Sequence, residues 1–232
     1  MATSDDLEVS AYLEIAEGRA SEAENEPQSV NEGIIVIDFG SQYSHLIARR
    51  IRELKVYSEV FTASSTWETV RHINPKGVIL SGGPASVYDH GAPRIPDWVF
   101  ERDLPVLGIC YGMQALVHQL GGEVVPGQLQ EYGSAVLHQD GGEASLFTEL
   151  PPTFQVWMSH GDRIATLPPG FSSLAYTENS PVAALGNGNG IFGLQFHPEV
   201  VHTKFGKQLL ENYLFKVCGC EPTWTPENFI SQ

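Results

Sequence analysis

Three short apolar runs, each closing on glycine or cysteine, constrain this chain more than any other feature. GIIVIDF (33–39) stops at Gly40, KGVILSGG (76–83) ends in paired glycines, and LPVLGIC (104–110) delivers the chain into Cys110. Their apolar residues are consecutive rather than alternating, the pattern of strands buried on both faces. Helical patterns lie between them. Leu46, Ile47, Ile51 and Leu54 share one face with Arg49, Arg50 and Arg52 on the wet side, and TWETVRHI (66–73) follows a further strand, VYSEVF (56–61). Short apolar strands alternating with helices predict a parallel sheet covered on both faces.

After residue 120 the texture changes. GGEVVPG, EYGSAVL, FQVWMSH, SSLAYT, PVAALG and GIFGLQF are short strands separated by Gly, Pro and Asn turns, which predicts an antiparallel region. HTKFGKQLLENYLFKVC (202–218) predicts a closing helix with Phe205, Leu209, Leu210 and Tyr213 on one face. The expected fold class is α/β: a mostly parallel central sheet with helices on both faces plus an antiparallel extension, over residues 33–220.

Charge sets the remaining boundaries. Residues 1–32 carry nine acidic residues against the single Arg19, and they show no sustained helical stripe. This segment reads as a mostly disordered tail, with a short docking helix as the alternative. A net charge of -15 argues against nonspecific nucleic-acid binding. No apolar run approaches the roughly 18 residues of a membrane span, and MATSDDLEVS is acidic where a secretory signal would be basic. Three cysteines, Cys110, Cys218 and Cys220, make a poor disulfide framework and suit a reducing, cytoplasmic home.

Cys110 carries the chemistry. G-I-C-Y-G has the form of a nucleophile elbow with cysteine in the serine position, between a strand and the helical pattern YGMQALVHQL. The tight turn lifts the sulfur out of the sheet, and a helix N-terminus favours thiolate over thiol. The bland alternative is an inert buried cysteine at a strand end. A thiolate nucleophile needs a base, and His197 in GLQFHPEV (193–200) stands two residues from Glu199. In an extended chain the two side chains share a face, so the carboxylate can orient the imidazole, with Pro198 stiffening the segment. The glycines of SGGPASVY (81–88) follow the third strand and would lie beside the cysteine. Their backbone N–H groups could face an oxyanion, or they could form an ordinary turn. A phosphate loop is excluded by the missing G-x-x-x-x-G-K-[ST], and Ala85 replaces the aspartate of the pyrophosphatase-type S-G-G-x-D-S. His160 in WMSHGD (157–162) lines the pocket or is structural. Cys218-Gly219-Cys220 offers two ligands without a second pair, too few for a zinc site, and no metal site is expected.

Together, IDFGSQYSHLIARRIRE, ILSGGPASVY, LGICYGMQ, EYG, VWMSHGD and QFHPEVVHT resemble the class I (triad) glutamine amidotransferases, in the branch that serves GMP synthesis. Sister branches tend to have P-G-P or N-G-P at the glycine loop and C-L-G-H-Q at the elbow. The resemblance covers residues 33–232. It implies that Cys110 attacks the side-chain amide of glutamine, that His197 is base and then acid, and that Glu199 orients it. It also implies oxyanion donors at the backbone N–H groups of Gly83 and Tyr111, with Gln114 and Asp162 in or near the glutamine pocket. The family's glutaminase is usually followed by an ATP pyrophosphatase domain that aminates XMP. Residues 221–232 then read as the start of a linker to that partner domain, where ATP and Mg would be used, with no cofactor in the glutaminase itself.

Overall fold

The computed structural model describes residues 32–141 and 145–225. The acidic opening segment and residues 226–232 therefore fall outside the described residues, apart from Glu32. Among the described residues, nine strands form one sheet in the order β2-β1-β3-β4-β9-β8-β7-β5-β6. β1 (Gly33–Asp38), β2 (Tyr57–Thr62), β3 (Pro75–Leu80) and β4 (Val106–Ile109) run parallel, and β9 (Ile191–Leu194) joins β4 in the same sense. β5 (Glu123–Gln139), β6 (Thr153–Thr166), β7 (Ser172–Tyr176) and β8 (Ala184–Gly186) continue antiparallel. GIFGLQF, expected within the antiparallel region, is the seam instead: β9 is antiparallel to β8 and parallel to β4. GGEVVPG and EYGSAVL are one strand, β5, whose pairing with β6 shifts register between Pro126 and Glu131.

Alternate residues of the parallel strands enter two separate cores. Ile34, Val36, Ile79, Leu107 and Ile109 pack on the face covered by α1 (Ser44–Glu53) and the closing helix. Ile35, Ile37, Val78, Leu80 and Val106 pack on the other, under α4 (Tyr111–Gln119). Burial on both faces is why these strands are apolar at consecutive positions. Two short helices, α2 (Trp67–Val70) and α3 (Trp98–Glu101), complete the connections.

Two helices depart from expectation. On α1 the buried set is Ser44, Ile47, Ala48 and Ile51, and Leu46 is only half-buried. Ser44 is tolerated because its hydroxyl donates to Asp38 Oδ1 at 2.6 Å, and the same oxygen accepts the amides of Gly40 and Ser41. Arg50 and Arg52 are not merely solvated, since they donate to the carbonyls of Glu199 and Ser58. The closing helix starts later than predicted, as α5 (Gly206–Glu211), and widens into a π turn over Asn212–Val217. Phe205 is therefore not on its buried face. It precedes the helix with φ 61° and is 47% exposed.

Gly108 and Gly112 are required by close approach at the elbow. A Cβ on Gly108 would lie 2.7 Å from the backbone of Gly112 and Met113, and one on Gly112 would strike the Leu80 carbonyl. α4 thus turns back directly over β4 and β3 with no room for a side chain between them.

Candidate active site

The site gathers at the carboxyl edge of the parallel strands, the edge where open α/β sheets bind ligands. Cys110 occupies the single-residue junction between β4 and α4, with φ 52° and ψ −107°. Only glycine adopts positive φ without strain, so a cysteine there is held by its surroundings. Its amide donates to the Leu194 carbonyl at 2.7 Å, and its carbonyl accepts the Gln114 amide at 3.1 Å. One clamp comes from β9 and the other from the first turn of α4. The sulfur is 3.6 Å from the Ser159 carbonyl of β6.

His197 and Glu199 meet, but not for the reason the sequence suggested. Residues 195–200 form a turn after β9 rather than an extended strand. Within that turn His197 Nδ1 lies 2.7 Å from Glu199 Oε1. Several groups that sequence reasoning did not single out fix it. The His197 amide donates to the Trp157 carbonyl at 3.1 Å, and Thr203 Oγ1 donates to the His197 carbonyl at 2.6 Å. Arg50 Nε donates to the Glu199 carbonyl at 3.0 Å. Gly206 packs so close to Pro198 that a Cβ would strike the Pro198 carbonyl. Only the presence of Thr203 in QFHPEVVHT could have flagged it, and Arg50 looked like one of three surface arginines.

The imidazole also lies beside Cys110, whose interaction favours the charged ring. Burial alone favours the neutral ring. Its contacts with Cys110 and Glu199 outweigh burial and push the His197 pKa up to about 10. Glu199 is 1% exposed, and its second oxygen, Oε2, has no hydrogen-bond partner. Tyr43 stands edge-on to the imidazole with ring centroids 5.5 Å apart.

The glycine loop comes beside this group. A Cβ on Gly82 would lie 3.3 Å from His197 Cε1 and 3.7 Å from Cys110 Cβ. One on Gly83 would lie 2.8 Å from the Phe39 carbonyl and 3.3 Å from Tyr111 Cγ. Tyr111 is the first residue of α4, where amides have no acceptor within the helix. Gln114 is buried one turn further along, and its Nε2 donates to the Asp162 carbonyl at 3.2 Å and to Gln195 Oε1 at 3.3 Å. The Asp162 carboxylate accepts Ser86 Oγ at 2.5 Å and Tyr88 OH at 2.7 Å, tying β6 to the loop after β3. Sequence reasoning did not single out Gln195 or the Ser86–Tyr88–Asp162 tie.

His160 is buried behind this wall rather than against the sulfur. It bonds the Asp162 carbonyl, Glu131 and Ser180. Cys218 and Cys220 are buried at the end of the closing helix, with Cys218 packed on Gly77 near the start of β3. Among the described residues no group of three or more His, Cys, Asp and Glu side chains is placed to hold a metal ion.

Residues 35–217 match the model of the family Glutamine amidotransferase class-I. A protein of Dehalococcoides mccartyi named GMP synthase [glutamine-hydrolyzing] is 55% identical over 209 residues, 90% of this chain and 39% of that protein. One of the same name from Thermomicrobium roseum is 54% identical over 201 residues, 87% of this chain and 38% of its own length. The chain thus spans about two fifths of the curated relatives it matches. Among solved structures, a GMP synthase subunit from Thermoplasma acidophilum superposes with a TM-score of 0.69 at 29% identity, covering 81% of this chain and 94% of that one. A glutamine amidotransferase of Thermotoga maritima shares the fold, with a TM-score of 0.66 at 19% identity over 82% of this chain and 99% of its own.

Proposed function

This chain belongs to the class I glutamine amidotransferases, and from that premise we propose that it hydrolyses glutamine to supply ammonia for the amination of XMP to GMP. The observation that carries the reading is the His197 imidazole, bonded to a buried carboxylate and set beside an elbow cysteine. Cys110 attacks the side-chain carbonyl carbon of glutamine. The N–H groups of Gly83 and Tyr111 receive the oxyanion, and the proton on His197 goes to the departing ammonia. The glutamyl thioester that remains is attacked by water, with His197 now taking the proton and Glu199 keeping the ring in place. Gln114 and Asp162 bound the pocket that takes the rest of the substrate.

Every group in this cycle is a side chain or amide of the chain itself. ATP and Mg, needed to activate XMP, belong with the portion of the longer relatives outside this chain. That portion, whether a domain or a separate chain, is the partner that receives the ammonia. Three unpaired cysteines and the lack, among the described residues, of any helix long and apolar enough to cross a membrane suit a reducing cytoplasm.

The test is glutamate release by the purified chain, alone and then with a matching synthetase portion, ATP-Mg and XMP. The expected result is glutamate release dependent on Cys110, accelerated by the additions, and GMP formed from XMP. Glutamate release without GMP formation would assign the ammonia to another acceptor. No glutamate under any condition would refute the enzymatic reading.

A further inference from the structure

Behind the wall of the site lies a buried histidine–glutamate pair that the cycle above does not use. Glu131 of β5 and His160 of β6 are directly opposed across the β5–β6 ladder, on its core face, and each is 7% exposed. His160 Nε2 lies 3.2 Å from Glu131 Oε2. The carboxylate is further held by Thr177 Oγ1 at 3.0 Å and Ser180 Oγ at 2.8 Å, both from the turn after β7. Burial disfavours the Glu131 carboxylate, but hydrogen bonds from His160, Ser180 and Thr177 outweigh it and lower its pKa.

The imidazole is held at both ring nitrogens. His160 Nδ1 is 2.8 Å from the Asp162 carbonyl, which can only accept. Nε2 faces the Glu131 carboxylate and the Ser180 hydroxyl at 3.2 Å, and the Ser180 proton already goes to Glu131. Nδ1 therefore donates, and Nε2 shares the Glu131 carboxylate with the Ser180 hydroxyl in one buried hydrogen-bonded cluster.

The pair touches the site through one atom. The Asp162 carbonyl accepts both His160 Nδ1–H and Gln114 Nε2–H. The second Nε2 hydrogen of Gln114 goes to Gln195 Oε1, which leaves Gln114 Oε1 as a pure acceptor. Three residues back along the same strand, the Ser159 carbonyl meets the Cys110 sulfur. Residues 159–162 are thus anchored from behind by the hydrogen-bonded His160 and face the nucleophile and Gln114 in front.

We infer that Glu131 and His160 form a buried hydrogen-bonded pair that positions residues 159–162, and through the Asp162 carbonyl fixes the Gln114 amide for substrate glutamine. The inference rests on the glutaminase reading for its substrate, but not for the pair itself. Glu131 and His160 are positioning residues, since neither touches the reacting atoms. Loss of the anchor should loosen glutamine binding through Asp162 and Gln114 more than it disturbs Cys110 and His197, which Leu194, the first turn of α4 and Glu199 hold separately.

The experiment measures glutamate release and thermal unfolding of the 232-residue chain carrying Glu131→Gln, Glu131→Asp, Ser180→Ala, and the double change Glu131→Gln with His160→Gln. Glu131→Gln should raise the KM for glutamine about tenfold with kcat within about twofold, the signature of lost ground-state positioning. Glu131→Asp should recover part of that loss, and Ser180→Ala, which trims one hydroxyl, should raise KM about twofold. Because removing one partner leaves the other a buried polar group without its hydrogen bond, the double variant should be more stable than Glu131→Gln alone. A folded Glu131→Gln or Ser180→Ala chain with wild-type KM, or a kcat that falls as far as kcat/KM, overturns the inference. If Glu131→Gln does not fold, the milder Ser180→Ala decides. A wild-type chain that releases no glutamate refutes the proposed function instead, and the stability of the single and double variants then tests the pair by itself: a double variant less stable than Glu131→Gln overturns it.

Discussion

Gly108→Ala sets two opposed effects against each other at the elbow. Replacing a glycine outside the positive-φ region removes freedom from the unfolded chain and stabilises by about 0.4–1 kcal/mol. Burying one more methyl adds roughly 0.8 kcal/mol. Against this, the new Cβ would stand 2.7 Å from the carbonyl carbon and oxygen of Gly112 and from the Met113 nitrogen. That is about 0.7 Å inside the 3.4 Å of ordinary contact. All three atoms are backbone, so no rotamer change relieves the clash. Nor can α4 simply lift, because the Gly112 amide donates to the Ser81 carbonyl at 3.0 Å and Gln114 to Cys110 at 3.1 Å. Overpacking of this kind costs about 1–3 kcal/mol, and here, with backbone on both sides, the upper end or more. The clash wins, by about 1–2 kcal/mol net, which lowers Tm by roughly 2–8 °C in a chain of this size. Displacement of the α4 start also moves Cys110 and the Tyr111 amide, and a misplacement near 1 Å costs about 10²-fold in rate. Thermal unfolding and glutamate release at saturating glutamine measure the two losses. A Gly108→Ala chain with the Tm and turnover of the parent would show that the glycine is not there for close approach.

Other outcomes follow from the same geometry. A glutamine-analogue electrophile should label Cys110 and neither Cys218 nor Cys220, and mass spectrometry placing the label on either of the latter would remove the nucleophile assignment. His197→Ala should lower turnover more than Glu199→Gln, each by about 10²–10⁴-fold, because one removes the proton carrier and the other loosens it; near-parental activity in both would move the base elsewhere. Gly83→Val should lower kcat by roughly 10²–10³-fold with little change in KM, as its side chain would push the peptide off the Phe39 carbonyl, and unchanged turnover would refute the oxyanion placement. His197 keeps its proton in the folded chain up to about pH 10, while the unfolded imidazole loses it near 6.5. Its stabilisation is therefore complete below about pH 6.5, declines by about 1.4 kcal/mol per unit above, and is gone beyond about pH 10. Glu199→Gln should shorten that decline from its alkaline end, and urea unfolding at about pH 6, 8 and 10 with parallel curves for both chains would contradict it.

The sequence by itself determined the strand-and-helix alternation, because strands buried on both faces must be apolar at consecutive positions. Ile34 to Ile37 and Val78 to Leu80 feed two cores, one on each face of the sheet. It also determined the elbow, since a cysteine between close glycines at a strand end has few structural uses. Spacing brought His197 and Glu199 together correctly, although through an extended chain that proved to be a turn. What only the tertiary structure decided lies in contacts between distant segments. Arg50 on α1 reaches the Glu199 carbonyl, Thr203 secures the His197 carbonyl, and the Asp162 carboxylate ties to Ser86 and Tyr88. The opposition of Glu131 and His160 depends on the β5–β6 register, with its shift after Pro126. Periodicity reports which face a residue turns to the core, whereas register and crossover geometry decide which residue it meets there. A serine, a threonine or an arginine at such a place has no pattern of its own, and its partner is fixed only when the sheet assembles.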